Sequence, residues 1–164
     1  MLAPHGGRTT AAWTQLREDH NSALIAVQHS LAGTLELPRT RLRRGMQDEL
    51  TAAGTSHTAV MVTGESGTGK SALTLSVATA LAEANDDFDF IALNLRRTRD
   101  SVAVLSADLG MPLSEVLREM SAPSRILIVD AADAAPEGRT SLLRELAAAA
   151  RQAQLGLVLV AADA

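Results

Sequence analysis

Eight consecutive residues stand out for what their types could do together: Gly64-Glu65-Ser66-Gly67-Thr68-Gly69-Lys70-Ser71. The glycines let the backbone turn tightly, so that successive N–H groups can converge on one anion. The string is a full match to G-x-x-x-x-G-K-[ST], the pattern of a loop that cradles nucleotide phosphates. A helix beginning near Lys70 would add the positive end of its dipole to the same anion. Lys70 would reach the β- and γ-phosphate oxygens, and the Ser71 hydroxyl would ligate Mg2+. Gly64 to Ser71, with Ala72 behind them, are the candidate nucleotide-binding residues. Lys70 is also the single lysine of the chain, the other fourteen basic residues being arginines. A compact ammonium slots among phosphate oxygens where a planar guanidinium is too broad.

A second constellation needs an acid opposite that hydroxyl. Sixty residues after Lys70, Ile126-Leu127-Ile128-Val129-Asp130 places a carboxylate at the end of an apolar run. Asp130 there can hold Mg2+ opposite Ser71, through water. Hydrolysis further needs a group to orient or deprotonate the attacking water. Many P-loop ATPases place a glutamate directly after this aspartate, but here Ala131 occupies the position. The remaining candidates are Asp133 and Glu137, with Asp133 closer to the strand end. Lys70, Asp130 and Asp133 are therefore the candidate catalytic residues, and Ser71 with Asp130 the candidate metal ligands.

These residues must be positioned by strands and helices, and the apolar spacing supplies them. Residues 59–62, 126–129 and 157–160 are short continuous apolar runs, and Phe88 to Leu95 is a further strand candidate. Between them lie helical stripes: Leu73, Val77, Leu81 and Ala84, then two short patterns around Gly110-Met111-Pro112, then an alanine-rich stretch over 138–153. Strands of this kind separated by helices imply an α/β fold with a parallel sheet covered on both faces. Ahead of the sheet, Trp13, Leu16, Leu24, Val27 and Leu31 predict an amphipathic helix that stops at Gly33. Leu42, Met46 and Leu50 predict another, capped by Thr40 and ended by Ala53-Gly54. The expected division is a tail and amphipathic helix over 1–36, then a P-loop core over 37–164.

Composition narrows the partners. The chain has 164 residues, enough for one domain that buries about 70% of its unfolded surface. With no cysteine, disulfide frameworks, zinc ribbons and thiol nucleophiles are excluded. Three aromatics (Trp13, Phe88, Phe90) and no tyrosine leave no base-stacking platform for single-stranded nucleic acid. A net charge of −4 argues against a surface dedicated to nucleic acid or anionic membrane. No apolar run approaches the ~18 residues that span a bilayer, and the first thirteen residues lack a signal-peptide core. The expected location is the cytoplasm.

The whole resembles the STAND class of P-loop NTPases, the signal-transduction ATPases of NACHT and related types. Leu37-Pro38-Arg39 with the helix behind it looks like the short motif that precedes the P-loop in these proteins. Thr63 to Leu73 is similar to their Walker A. Leu127-Ile128-Val129-Asp130-Ala131-Ala132-Asp133-Ala134 is similar to their Walker B, with a second acid at the third position. The resemblance covers residues 35–164 and implies ATP and Mg2+ as cofactors, homo-oligomerisation or protein partners, and hydrolysis used as a timer. It also marks departures. Asp163 stands near a position where the family often has a polar or arginine residue, and the fifth strand and helical lid of the family do not follow.

The competing readings are an AAA+-like ATPase or a small-molecule P-loop kinase, for which Arg96, Arg97 and Arg99 are the only clamp. Arg39, Arg41, Arg43 and Arg44 read as a solvated helix face, Arg39 excepted as a phosphate or adenine contact. His5, His20, His29 and His57 have no mutual spacing suited to a metal site or a catalytic pair. A degenerate or truncated product is the third reading.

Overall fold

The computed structural model describes residues 11–18, 20, 40–65, 69–95, 101–130 and 140–161. Helix α1 (residues 11–18) comes first. It is followed by α2 (Thr40–Ser56), β1 (Ala59–Val62), α3 (Lys70–Ala84), β2 (Phe88–Asn94), α4 (Val102–Leu109), α5 (Leu113–Arg118), β3 (Ser124–Asp130), α6 (Thr140–Gln152) and β4 (Gly156–Val160). The strands form one sheet in the order β1-β4-β3-β2, and every pair is parallel. The four predicted runs are thus strands, but the expected cover on both faces fails at β1, where Ala59 and Met61 are exposed, Met61 by 61%.

Side chains of alternate strand residues enter two cores. Phe88, Phe90, Ala92, Ile126, Ile128, Val158 and Val160 pack with Leu50, Ala53, Leu75 and Ala78 from α2 and α3. Ile91, Leu93, Leu127, Val129 and Leu157 pack on the other face with Leu105, Leu113, Leu117, Leu142 and Leu146 from α4 to α6. Ala12 and Leu16 of α1, both fully buried, belong to this second core. Burying each leucine contributes about 2 kcal/mol, so the three-layer sandwich follows from strands apolar on both faces.

One expectation fails on α2. Ala53-Gly54 does not end the helix, which runs on to Ser56. Gly54 is there for space: a Cβ on it would lie 2.4 Å from Ser124 Oγ and 2.8 Å from the Arg125 nitrogen. A Cβ on Gly156 would likewise meet the Ala53 carbonyl oxygen at 2.3 Å. The helix is drawn onto the amino ends of β3 and β4, and Ser124 Oγ donates to the Thr51 carbonyl at 3.0 Å. The true stop is His57, left-handed at φ 55°, with the Thr58 amide returning to the Ala53 carbonyl at 3.1 Å. Gln154 at φ 60° ends α6 in the same way, through Leu155 N–H to the Ala150 carbonyl at 2.8 Å. Both are Schellman endings made without glycine. Thr40 is the first helical residue of α2, not the cap before it.

Candidate functional site

In a parallel sheet, ligands bind beyond the carboxyl ends of the strands, and register shows which residues meet there. Val62 of β1 and Asp130 of β3 both lie level with Val160 of β4 between them. Strands are about 4.8 Å apart, so the end of β1 is roughly 10 Å from Asp130. The end of β4 lies between them, and just past it Ala161 donates its amide to the Val62 carbonyl at 3.0 Å. On the far side α3 begins, and Ser71 Oγ donates to Asp130 Oδ1 at 2.5 Å. Two residues separated by 59 positions in sequence are thereby joined side chain to side chain.

Backbone geometry explains the start of α3. Gly69 is left-handed at φ 82°, a conformation that strains any residue with a Cβ, and its carbonyl takes the Leu73 amide at 2.8 Å. Gly69 offers no side-chain cap, so the first-turn N–H groups stand where an anion could take them. The Lys70 ammonium has three donors. It gives one to the Gly64 carbonyl and one to the Glu65 carbonyl, each at 2.7 Å. This pins the ammonium over the start of the loop and leaves its remaining direction for a phosphate oxygen.

Asp130 is only 7% exposed, and the buried Ala72 and Leu75 of α3 belong to the same end of the helix. A hydroxyl and a carboxylate are hard oxygen donors, the kind Mg2+ takes when phosphates and water complete its octahedron. Among the described residues there is no group of three or more His, Asp or Glu placed to hold a metal by themselves. Asn94 escaped the sequence reading. It pairs in register with Asp130 and, by strand alternation, lies on the same face of the sheet. Nothing in its local sequence marks it; only the pairing of β2 with β3 brings it there.

Ser66, Gly67 and Thr68 of the loop lie outside the described residues, as do Asp133 and Glu137, Arg39, Arg96, Arg97, Arg99 and Asp163.

A second polar cluster sits at the opposite edge of the sheet. His20 is 4% exposed, its ring 4.9 Å from that of Phe90, and its Nδ1 accepts the Ala92 amide at 3.0 Å. Burial, with the nearby Arg17 charge, lowers its pKa to about 4, against a smaller opposing pull from Asp89. Arg17 lies over the Trp13 ring at 5.3 Å and reaches Asp89 at 3.5 Å. The sequence gives no sign of this role, because His20 has no partner at any short spacing.

Among the described residues no helix is long and apolar enough to cross a membrane. Compared with family models, residues 60–162 match the ATPase family associated with various cellular activities (AAA). The match runs from β1 past the end of β4 and takes in Lys70, Ser71 and Asp130. No curated protein matches the chain.

Proposed function

The chain belongs to the AAA family of ATPases, and from that premise we propose that it is an ATP-binding switch module of the STAND signalling type. Gly64 to Ser71, with Ala72, bind the triphosphate, and Lys70 neutralises charge at the β- and γ-phosphates. Ser71 and Asp130 hold Mg2+. The chemistry that such an ion would supply there is neutralisation of phosphate charge. The observation that carries this reading is the 2.5 Å contact between Ser71 Oγ and Asp130 Oδ1, which puts the two hard donors at one point at the start of the helix that Lys70 opens.

Hydrolysis by this chain is weak in this proposal, because Ala131 replaces the usual glutamate and Asp133 is the acid left to polarise water. The nucleotide core spans 37–164, with 1–36 a tail and amphipathic helix ahead of it. Output then comes from self-assembly or from protein partners in the cytoplasm. The second reading, a hydrolysing AAA machine, is favoured by the family match itself. Sustained acceptor-independent turnover supports that reading; slow ADP release supports the switch.

The test of the site is binding of a fluorescent ATP analogue. Lys70→Ala should weaken it at least about a hundredfold, since charge-assisted bonds to phosphate are worth about 3 kcal/mol. Unchanged affinity in that variant removes the phosphate-loop assignment. Chromatography of nucleotide that co-purifies with the chain identifies the base.

A further inference from the structure

The outer edge of β2 is closed by an unusual set of acceptors. The Leu95 amide bonds to the Asp130 carbonyl and the Ser124 amide to the Asp87 carbonyl, so odd-numbered residues of this stretch face β3. Phe88, Phe90, Ala92 and Asn94 therefore turn their backbone groups outward. Three of these outward amides are taken by acceptors that are not strands. Phe88 N–H bonds to the Asn85 carbonyl at 3.2 Å, Phe90 N–H to Asp89 Oδ1 at 2.8 Å, and Ala92 N–H to His20 Nδ1 at 3.0 Å. A β2 edge left open would be a template for another strand, and proteins close such edges deliberately.

We propose that α1 is an edge cap, with His20 occupying the β2 amide that a second copy of this chain would otherwise take. The strand suits that occupant. Phe88-Asp89-Phe90-Ile91-Ala92-Leu93-Asn94 is long, apolar and carries one charge. Two copies paired antiparallel about Ile91 set Phe90 opposite Ala92 and Phe88 opposite Asn94, so the outward residues meet one another. Asp89 then faces Leu93, and no like charges oppose. The cap is anchored on both sides of the edge: Ala12 and Leu16 enter the core beside Ile91 and Leu93, while the His20 ring meets that of Phe90 at a tilt of 59° across the sheet. The proposal does not involve the nucleotide.

The test uses the full chain at neutral pH. His20→Phe keeps an aromatic ring against Phe90 and removes the acceptor; His20→Asn places an amide oxygen near the Nδ1 position. Sedimentation velocity should show concentration-dependent association of His20→Phe beyond that of the parent, and none added by His20→Asn. In the associated form, exchange of the Phe90 and Ala92 amides should be about tenfold slower than in dilute His20→Phe. A His20→Phe chain that sediments like the parent overturns the proposal. So does association without slowed exchange at these amides, or equal association by His20→Asn. If His20→Phe does not fold, His20→Leu, which also removes the acceptor from the Ala92 amide, must show the same association, and its absence overturns the proposal equally.

Discussion

The two polar clusters of this molecule are built from similar parts and do opposite things. At the carboxyl end of the sheet, Ser71 bonds to Asp130 and Lys70 gives two of its three donors to the Gly64 and Glu65 carbonyls, which leaves one ammonium donor and the uncapped first turn of α3 for a ligand. At the β2 edge, Arg17, His20 and Asp89 spend theirs on the chain itself, on an edge amide, a neighbouring amide and each other. The difference is one of direction. Parallel strands bring loops and helix starts together at one end, where polar groups point outward from the sheet. An edge strand presents backbone groups sideways, and a side chain that meets them closes the sheet.

That contrast can be broken most sharply at the two aspartates. Asp130→Asn should cost about tenfold to a hundredfold in Mg2+-dependent affinity for the ATP analogue, by loss of a charged ligand. Its unfolding free energy should move by no more than about 1 kcal/mol, because the amide oxygen still accepts from Ser71. Asp89→Asn should leave the same affinity unchanged. If the two variants are equally impaired in binding, the division of labour between the clusters is wrong.

The next effect belongs to the edge. His20 is neutral in the folded chain down to about pH 4 but titrates near 6.5 when unfolded. The unfolded state thus binds the extra proton between these values, and stability falls as pH drops through that window. The expected loss is about 3 kcal/mol, fully present below pH 4 and absent above pH 6.5. The groups around the ring are Arg17 on α1, Asp89 on β2 and Glu83 on α3, which share one cleft of about 280 Å³ with it. Urea unfolding of the parent and of His20→Asn at several pH values checks it: the difference between them should carry this slope. A difference that stays flat with pH removes His20 as its source.

A smaller effect separates satisfied from unsatisfied polar atoms. Thr74 Oγ1 lies one turn behind Lys70, fully buried and without a hydrogen-bond partner. Thr74→Val should therefore stabilise the chain by up to about 1 kcal/mol, measured by thermal unfolding. Destabilisation would mean that the hydroxyl has a partner after all.

Much of the site was legible beforehand because its signals are local. The loop, its lysine and its hydroxyl lie within eight residues, and an apolar run ending in Asp130 announces a strand end. Both facts concern short stretches whose chemistry does not depend on what packs beside them. Helix ends were less legible. Gly54 looked like a stop signal but is held inside α2 by contact with β3, while His57 and Gln154 end helices without the residue normally expected there. A glycine needed for space and one needed for φ are identical in sequence, and only the neighbour distinguishes them.

The order of amino acids alone determined that the chain is α/β, and it placed a loop of the phosphate-binding pattern between the first strand and the helix that follows it. These follow from periodicity and from the chemistry of adjacent residues. Tertiary structure alone decided that β4 lies between β1 and β3, and that Ser71 meets Asp130. It also decided that Asn94 stands beside that acid, and that His20 closes the edge of a strand 72 residues away. Each of these is a meeting between distant segments. Strand order and edge contacts are set by how the whole set of apolar faces is buried at once, and no local stretch carries that information.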